Sequence, residues 1–249
     1  MKKTSTLLTG FLFLSIILQA QKKQSKFFTQ LAVGPSFPIG RFAETSYKGE
    51  NEVPGFAKTG IGAHLSLGYY LNKSFGLLLS SGYTIHEQDE QAYRDYFNGF
   101  FSGITVRQME AKSWKTAKVM AGGFLVTPLT SESELVLRTK LTAGLAKTAV
   151  PKIWWWGADQ SGMSTAGANN EKVPLPWSFC YQVSAALEYK VSRNWHVLLD
   201  ISSFNTKATN EFSYTIIPNP PGGPVQMVTV KNKYKQATVN VMAGIGVSF

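Results

Sequence analysis

Three histidines, His64, His86 and His196, share the parity of nearby serines and carboxylates in alternating stretches of the chain, which is the raw material of a Ser/His/Asp hydrolase. The spacing does not assemble one. Centring a turn on "SRN" (Ser192 to Asn194) puts His196 opposite Lys190 and leaves Asp200 four residues along the same strand. At 3.3 Å per residue that separation is roughly 13 Å, whereas a triad needs hydrogen-bond reach, about 3 Å. No His/Cys set has the spacing of a metal site, and Cys180, the only thiol, cannot form an intramolecular disulfide. No catalytic residue, metal or cofactor is therefore expected. A second chemistry remains: Lys118, Arg138, Lys140 and Lys190 fall on the same face as Glu188 and Asp200. Paired, they make a packed ionic core closed to solutes; unpaired, they line a narrow ion path.

The elements that must hold these groups are strands. Every second residue from Ala237 to Phe249 is apolar, and the same alternation recurs from Phe27 to Ile39, about Thr59 to Leu71, and Phe75 to His86. It continues over about Lys112 to Val126, Leu135 to Ala149, Trp177 to Lys190, and onward from Trp195. One face collects Leu, Val, Ile and aromatic side chains, and the other Gly, Ser, Thr, Ala and the few charges. The connections alternate between short ("NKS", "PLTSESE", "SRN") and long. Eight strands in that pattern predict an all-β fold: an eight-stranded antiparallel up-and-down transmembrane β-barrel with short periplasmic turns and long extracellular loops. A soluble lipocalin-type barrel has the same strand count but needs a Lys- and Glu-rich outer face, and the second face here is too small and too poor in charge for that.

Composition points the same way. Charged residues make up only 16% of the chain and aromatic residues 13%, against roughly 25% charged in ordinary soluble domains. Lys2 and Lys3 precede the apolar run from Leu7 to Leu18, and Ala20 follows, which predicts a signal peptide over residues 1–20 and a barrel domain over 21–249. No later stretch offers a membrane-spanning helix. Export to the bacterial outer membrane excludes nucleic acid as the partner of the +10 formal charge, which becomes +8 without Lys2 and Lys3.

Phe27, Tyr69, Phe75, Tyr189, Trp195 and Phe249 lie on the apolar face at the short-turn end and predict an interfacial girdle. Lys58, Lys112, Lys115, Lys147, Lys207, Lys231, Lys233 and Lys235 gather at the long-loop end, where they would meet lipopolysaccharide phosphates. The acidic second loop, with Glu87, Asp89, Glu90, Asp95 and Glu110, lacks calcium-loop spacing. Trp154, Trp155 and Trp156 form an apolar knob in the third loop, suited either to folding back on the rim or headgroups or to anchoring a protein or glycan ligand. "EFSYTII" and "VQMVTV" flank the breaker "PNPPGGP", so the last hairpin, including Tyr214, is expected to project outward and offer strand edges to a partner.

The alternating strands and the terminal "VMAGIGVSF" resemble the small eight-stranded outer-membrane proteins with OmpA-like or OmpX-like barrel domains, over essentially the whole chain after residue 20. The resemblance implies recognition of the final strand by the barrel-assembly machinery, surroundings of outer-membrane lipid and lipopolysaccharide, and loops presented at the surface, alone or within an envelope or secretion assembly. It carries no catalytic signature. A lipid A-modifying enzyme and a narrow channel are the other classes the sequence leaves open.

Overall fold

The structure, a computed structural model, describes residues 26–46, 54–100, 104–132, 134–159, 164–169, 175–216 and 226–249. The expected signal peptide and the "PNPPGGP" tip lie outside the described residues. Eight strands close a barrel: β1 (Phe27–Ile39), β2 (Gly60–Tyr70), β3 (Phe75–His86), β5 (Trp114–Pro128), β6 (Leu135–Ala149), β9 (Ser178–Lys190), β10 (Trp195–Ile216) and β11 (Gln226–Ser248). Each pairs antiparallel with the next, and β11 returns to β1. Closure leaves no free edge in the barrel wall, which is the condition for a sheet in hydrocarbon.

The register sets the girth. Stepping from Phe28 through paired Gly68, Leu78, Gly122, Thr142, Gln182, Phe204 and Thr238 returns to β1 at Pro38. That is a shear of about ten residues over eight strands, which corresponds to a tilt of roughly 40° and a radius of roughly 8 Å. The interior of so narrow a barrel can only be filled by its own side chains. The alternation in the sequence translates into two environments: Phe28, Met120, Phe124, Cys180, Phe204 and Met242 are fully or almost fully buried, while outward Ile61, Leu141 and Phe179 are more than 60% exposed. A continuous apolar outer wall of this kind has no favourable solvent except lipid.

Two of the long connections are folded rather than open. Between β3 and β5 stand helix α1 (Glu90–Phe100) and β4 (Ile104–Ala111); between β6 and β9 stand β7 (Ile153–Asp159) and β8 (Ser164–Asn169). The last three strands form a separate sheet in the order β4-β7-β8. The chain reaches α1 through Asp89, whose Oδ1 accepts the Ala92 N–H at 3.1 Å, an N-cap that satisfies an orphan helix donor.

Candidate functional site

The lumen holds a connected ionic network. From β6, Arg138 directs Nε to Glu188 Oε1 on β9 at 2.7 Å and donates from Nη2 to Glu188 Oε2 at 2.9 Å and to the Tyr70 hydroxyl at 2.7 Å. Its guanidinium carbon sits 3.8 Å from the Phe28 ring centre and 4.7 Å from that of Phe124, so a fully desolvated cation is held by a carboxylate and by aromatic faces. Gln30 donates to Glu188 at 2.6 Å and contacts His196 Nε2 at 3.1 Å. Lys140 reaches past β9, at a point where β9 offers only Ser184 and Ala186, and meets Asp200 on β10 at 2.8 Å. Lys118 takes a different arrangement: it donates to Gln182 at 2.7 Å and lies 4.1 Å from the Phe204 ring centre.

Of the six residues expected in this core, Lys190 is misplaced. It has the lumen parity, but it stands exposed at the short-turn mouth, beside the level where its N–H meets the Glu134 carbonyl. Parity reports the face of a strand and not the depth, and Lys190 is the last residue of β9.

None of the histidines forms the hydrolase arrangement. His196 Nε2 is 3.8 Å from Glu188 Oε2 and is engaged by Gln30. His86 does contact a serine, Ser36 Oγ at 3.1 Å, a pairing the sequence reading missed because it crosses from β1 to β3 without their being hydrogen-bonded neighbours. Its other nitrogen contacts the Lys58 carbonyl oxygen at 3.0 Å, Ser36 donates to Asn240 at 2.6 Å, and all three side chains are fully buried. A substrate has no approach to that serine. A gap of about 20 Å³ in the middle of the lumen, lined by His64, Ser80 and Asp200, has room for about one water.

The two ends differ. At the long-loop end, Phe42, Ala57, Trp114, Val150, Leu175 and Ala208 pack into an apolar plug with Tyr234 against it, fastened by the Trp114 indole donating to the Gly55 carbonyl at 2.9 Å. Above it, loops two and three meet: Val106, Met109 and Ile153 form a small core against Tyr93 and Phe97 of α1, and Asn98 exchanges two hydrogen bonds with the Val106 backbone. Two of the acidic residues of the second loop serve this cap. Asp89 caps α1 and pairs with Lys58 at 3.5 Å, and Glu90 accepts the Ala111 N–H at 2.8 Å.

The tryptophan knob is divided by strand parity. Trp155 packs on the α1 side, 5.9 Å from the Phe97 ring, whereas Trp154 and Trp156 remain 50% and 40% exposed on the opposite face of β7. Lys152 lies 5.0 Å over Trp154 and Arg107 5.9 Å over Trp156. Lys112, Lys115, Lys147, Lys207 and Lys235 have exposed side chains, Lys233 is half-buried, and the Lys231 side chain lies outside the described residues. Lys115, Lys147, Lys207 and Lys235 have the outward parity of their strands, and Lys207 is paired directly with Lys235. Beyond Thr206 and Ala237, β10 and β11 pair, among the described residues, only with each other up to Ile216 and Gln226, so the last hairpin runs on as a two-stranded ribbon; the side chain of Tyr214 lies outside the described residues.

At the short-turn end, Phe27 is 4.8 Å from Tyr69 and 6.1 Å, stacked, from Phe249. Phe27 and Phe249 exchange both backbone hydrogen bonds at 2.9–3.0 Å where the barrel closes. Phe75, Tyr189 and Trp195 are exposed on the outer wall at the same end.

No protein-family model and no curated protein matches this chain. Among solved structures, it is similar to neisserial surface protein A (13% identity, 90% of this chain and 97% of that one, TM-score 0.45). It is similar also to Ail, the attachment invasion locus protein of Yersinia pestis (13%, 91% and 100%, TM-score 0.43), and to a major outer membrane protein from Thermus thermophilus (9%, 91% and 100%, TM-score 0.43). An apolar wall on the outside and a polar, largely buried interior are compatible only with a bilayer, and with eight closed strands the chain is a small outer-membrane β-barrel.

Proposed function

We propose that this chain is a non-enzymatic barrel with a closed lumen that displays an ordered cap at the cell surface for recognition of a protein or glycan. The observation that carries the reading is the division of the three tryptophans: Trp155 builds the cap core, while Trp154 and Trp156 are left on its outer face. Two large aromatic side chains half-exposed on one face of a strand, each with a cation over its ring, form the kind of patch that a ligand covers. In refolded full-length barrel on glycan and protein arrays, the double variant W154A/W156A is expected to lose binding about tenfold or more for the ligands the wild type retains. Heat-modifiable migration on semi-native gels should stay unchanged. Equal binding by wild type and variant would remove the reading.

The outward lysines support a second contact, with lipopolysaccharide phosphates in the outer leaflet. Lys115, Lys147 and Lys207 stand on the lipid-facing side just past the apolar belt, where an ammonium gains most from an anion at a partly desolvated surface. The triple variant K115E/K147E/K207E is expected to lose the extra thermal stability that lipopolysaccharide confers over phosphate-poor lipid. The same loss of stability in both lipids would count against the contact.

A further inference from the structure

The barrel is sealed at the long-loop end and open at the other. The short-turn mouth is a cavity of about 760 Å³, floored by the Arg138–Glu188 pair with Tyr70 and His196. Lys26, Lys73, Lys190 and Arg193 line it and are exposed. Among the described residues that line it, Glu134 is the one acidic side chain besides Glu188, which is committed to Arg138 in the floor. The four cations come from the residue before β1, the β2–β3 turn, the end of β9 and the β9–β10 turn, so they stand as two pairs on opposite sides of the mouth. They line the cavity, whereas the outward positions at this end hold Phe27, Phe75 and Tyr189, and Trp195 stands at its edge. The charge therefore borders the mouth and the aqueous phase.

We propose that this mouth is a binding site for an acidic peptide segment entering along the barrel axis from the periplasmic side. A single small anion could satisfy only one or two of cations spread around a ring, whereas an extended chain with successive carboxylates can reach several. Each pair is partly shielded from water by the cavity walls, which raises its worth above that of an open surface pair. The floor contributes no opposing charge, because Glu188 is neutralised by Arg138. The segment stops there: the gap beyond the floor has room for only about one water.

The test uses the full-length barrel refolded in zwitterionic detergent and a fluorescein-labelled hexaglutamate peptide, followed by fluorescence anisotropy. One saturable site is expected, weakened steeply by salt. K73E/K190E/R193E should reduce the affinity about tenfold or more, in a protein whose heat-modifiable gel shift shows it folded. K115E/K207E, which changes charge only at the opposite end, should leave it unchanged. Non-saturable binding, or equal losses in the two variants, would overturn the proposal as simple attraction to a basic protein. Displacement of the peptide by millimolar inorganic phosphate at constant ionic strength would overturn it in favour of a small-anion site. Because the cap tryptophans take no part, this result is independent of recognition at the surface.

Discussion

Glu188→Ala is expected to lower the unfolding free energy of the lipid-inserted barrel by about 3–5 kcal/mol, because it strands a buried cation without removing it. Arg138 is 2% exposed and would retain only the Tyr70 hydroxyl and the surrounding rings, while Gln30 would lose its acceptor on Glu188. Deleting both charges is a different perturbation. R138M/E188L fills the same space between Phe28, Phe124 and Tyr70 with apolar side chains and should return to within about 1–2 kcal/mol of the wild type, since a buried pair and its well-packed isostere are close in free energy. Equilibrium urea unfolding in vesicles, read by tryptophan fluorescence, measures both. A cost below about 1 kcal/mol for Glu188→Ala would mean that water from the mouth reaches the guanidinium and that the pair is not a desolvated one.

The second large effect is steric. At Gly122, on β5, an added Cβ would run into the Leu141 carbonyl oxygen of β6; at Gly144, on β6, it would run into the Val119 carbonyl oxygen of β5. The two glycines allow these strands to approach on the lumen side, beside the cluster of Met120, Ala146, Cys180 and Phe204. Since the obstacle is backbone in a closed ladder, no rotamer change relieves it. Gly122→Val is expected to cost about 3 kcal/mol or more and to reduce the fraction of chain that refolds into the heat-modifiable form. Thr142→Val, at the position paired with Gly122, serves as the control and should refold normally. Normal refolding of Gly122→Val would show that the β5–β6 seam can widen.

Much of the barrel was legible because the physics of each strand is local. A period of two, read against lipid on one side and a cramped lumen on the other, places Leu65, Leu79, Val183 and Phe249 on the outer wall without knowledge of their neighbours. The turn at Ser192–Asn194 also fixes the pairing of His196 with Lys190. The ion pairs needed more, since Lys140 and Asp200 meet across an intervening strand and only the order β6-β9-β10 brings them together.

The cap was illegible for the opposite reason. β4 pairs with β7 across tens of residues, with a register shift between Val106 and Gln108, and neither strand has a long alternating pattern of its own. Helix α1 did leave a signal in Asp89 followed by Tyr93 and Phe97, an N-cap ahead of an i, i+4 aromatic pair. Among so many carboxylates it read as an acidic loop. Lys190 shows the complementary gap: its face follows from parity, but its place outside the core follows from where β9 ends.

The ribbon that continues β10 and β11 up to Ile216 and Gln226 constrains how this region can change in length. Its register is inherited from the barrel wall, where the two faces are pinned by lipid and lumen. One residue inserted into one arm turns every side chain beyond it to the other face, and a pair of residues restores the pattern. Tolerated insertions and deletions in the ribbon should therefore come in even steps within an arm, and the surface it offers can lengthen or shorten while keeping the same side chains in view.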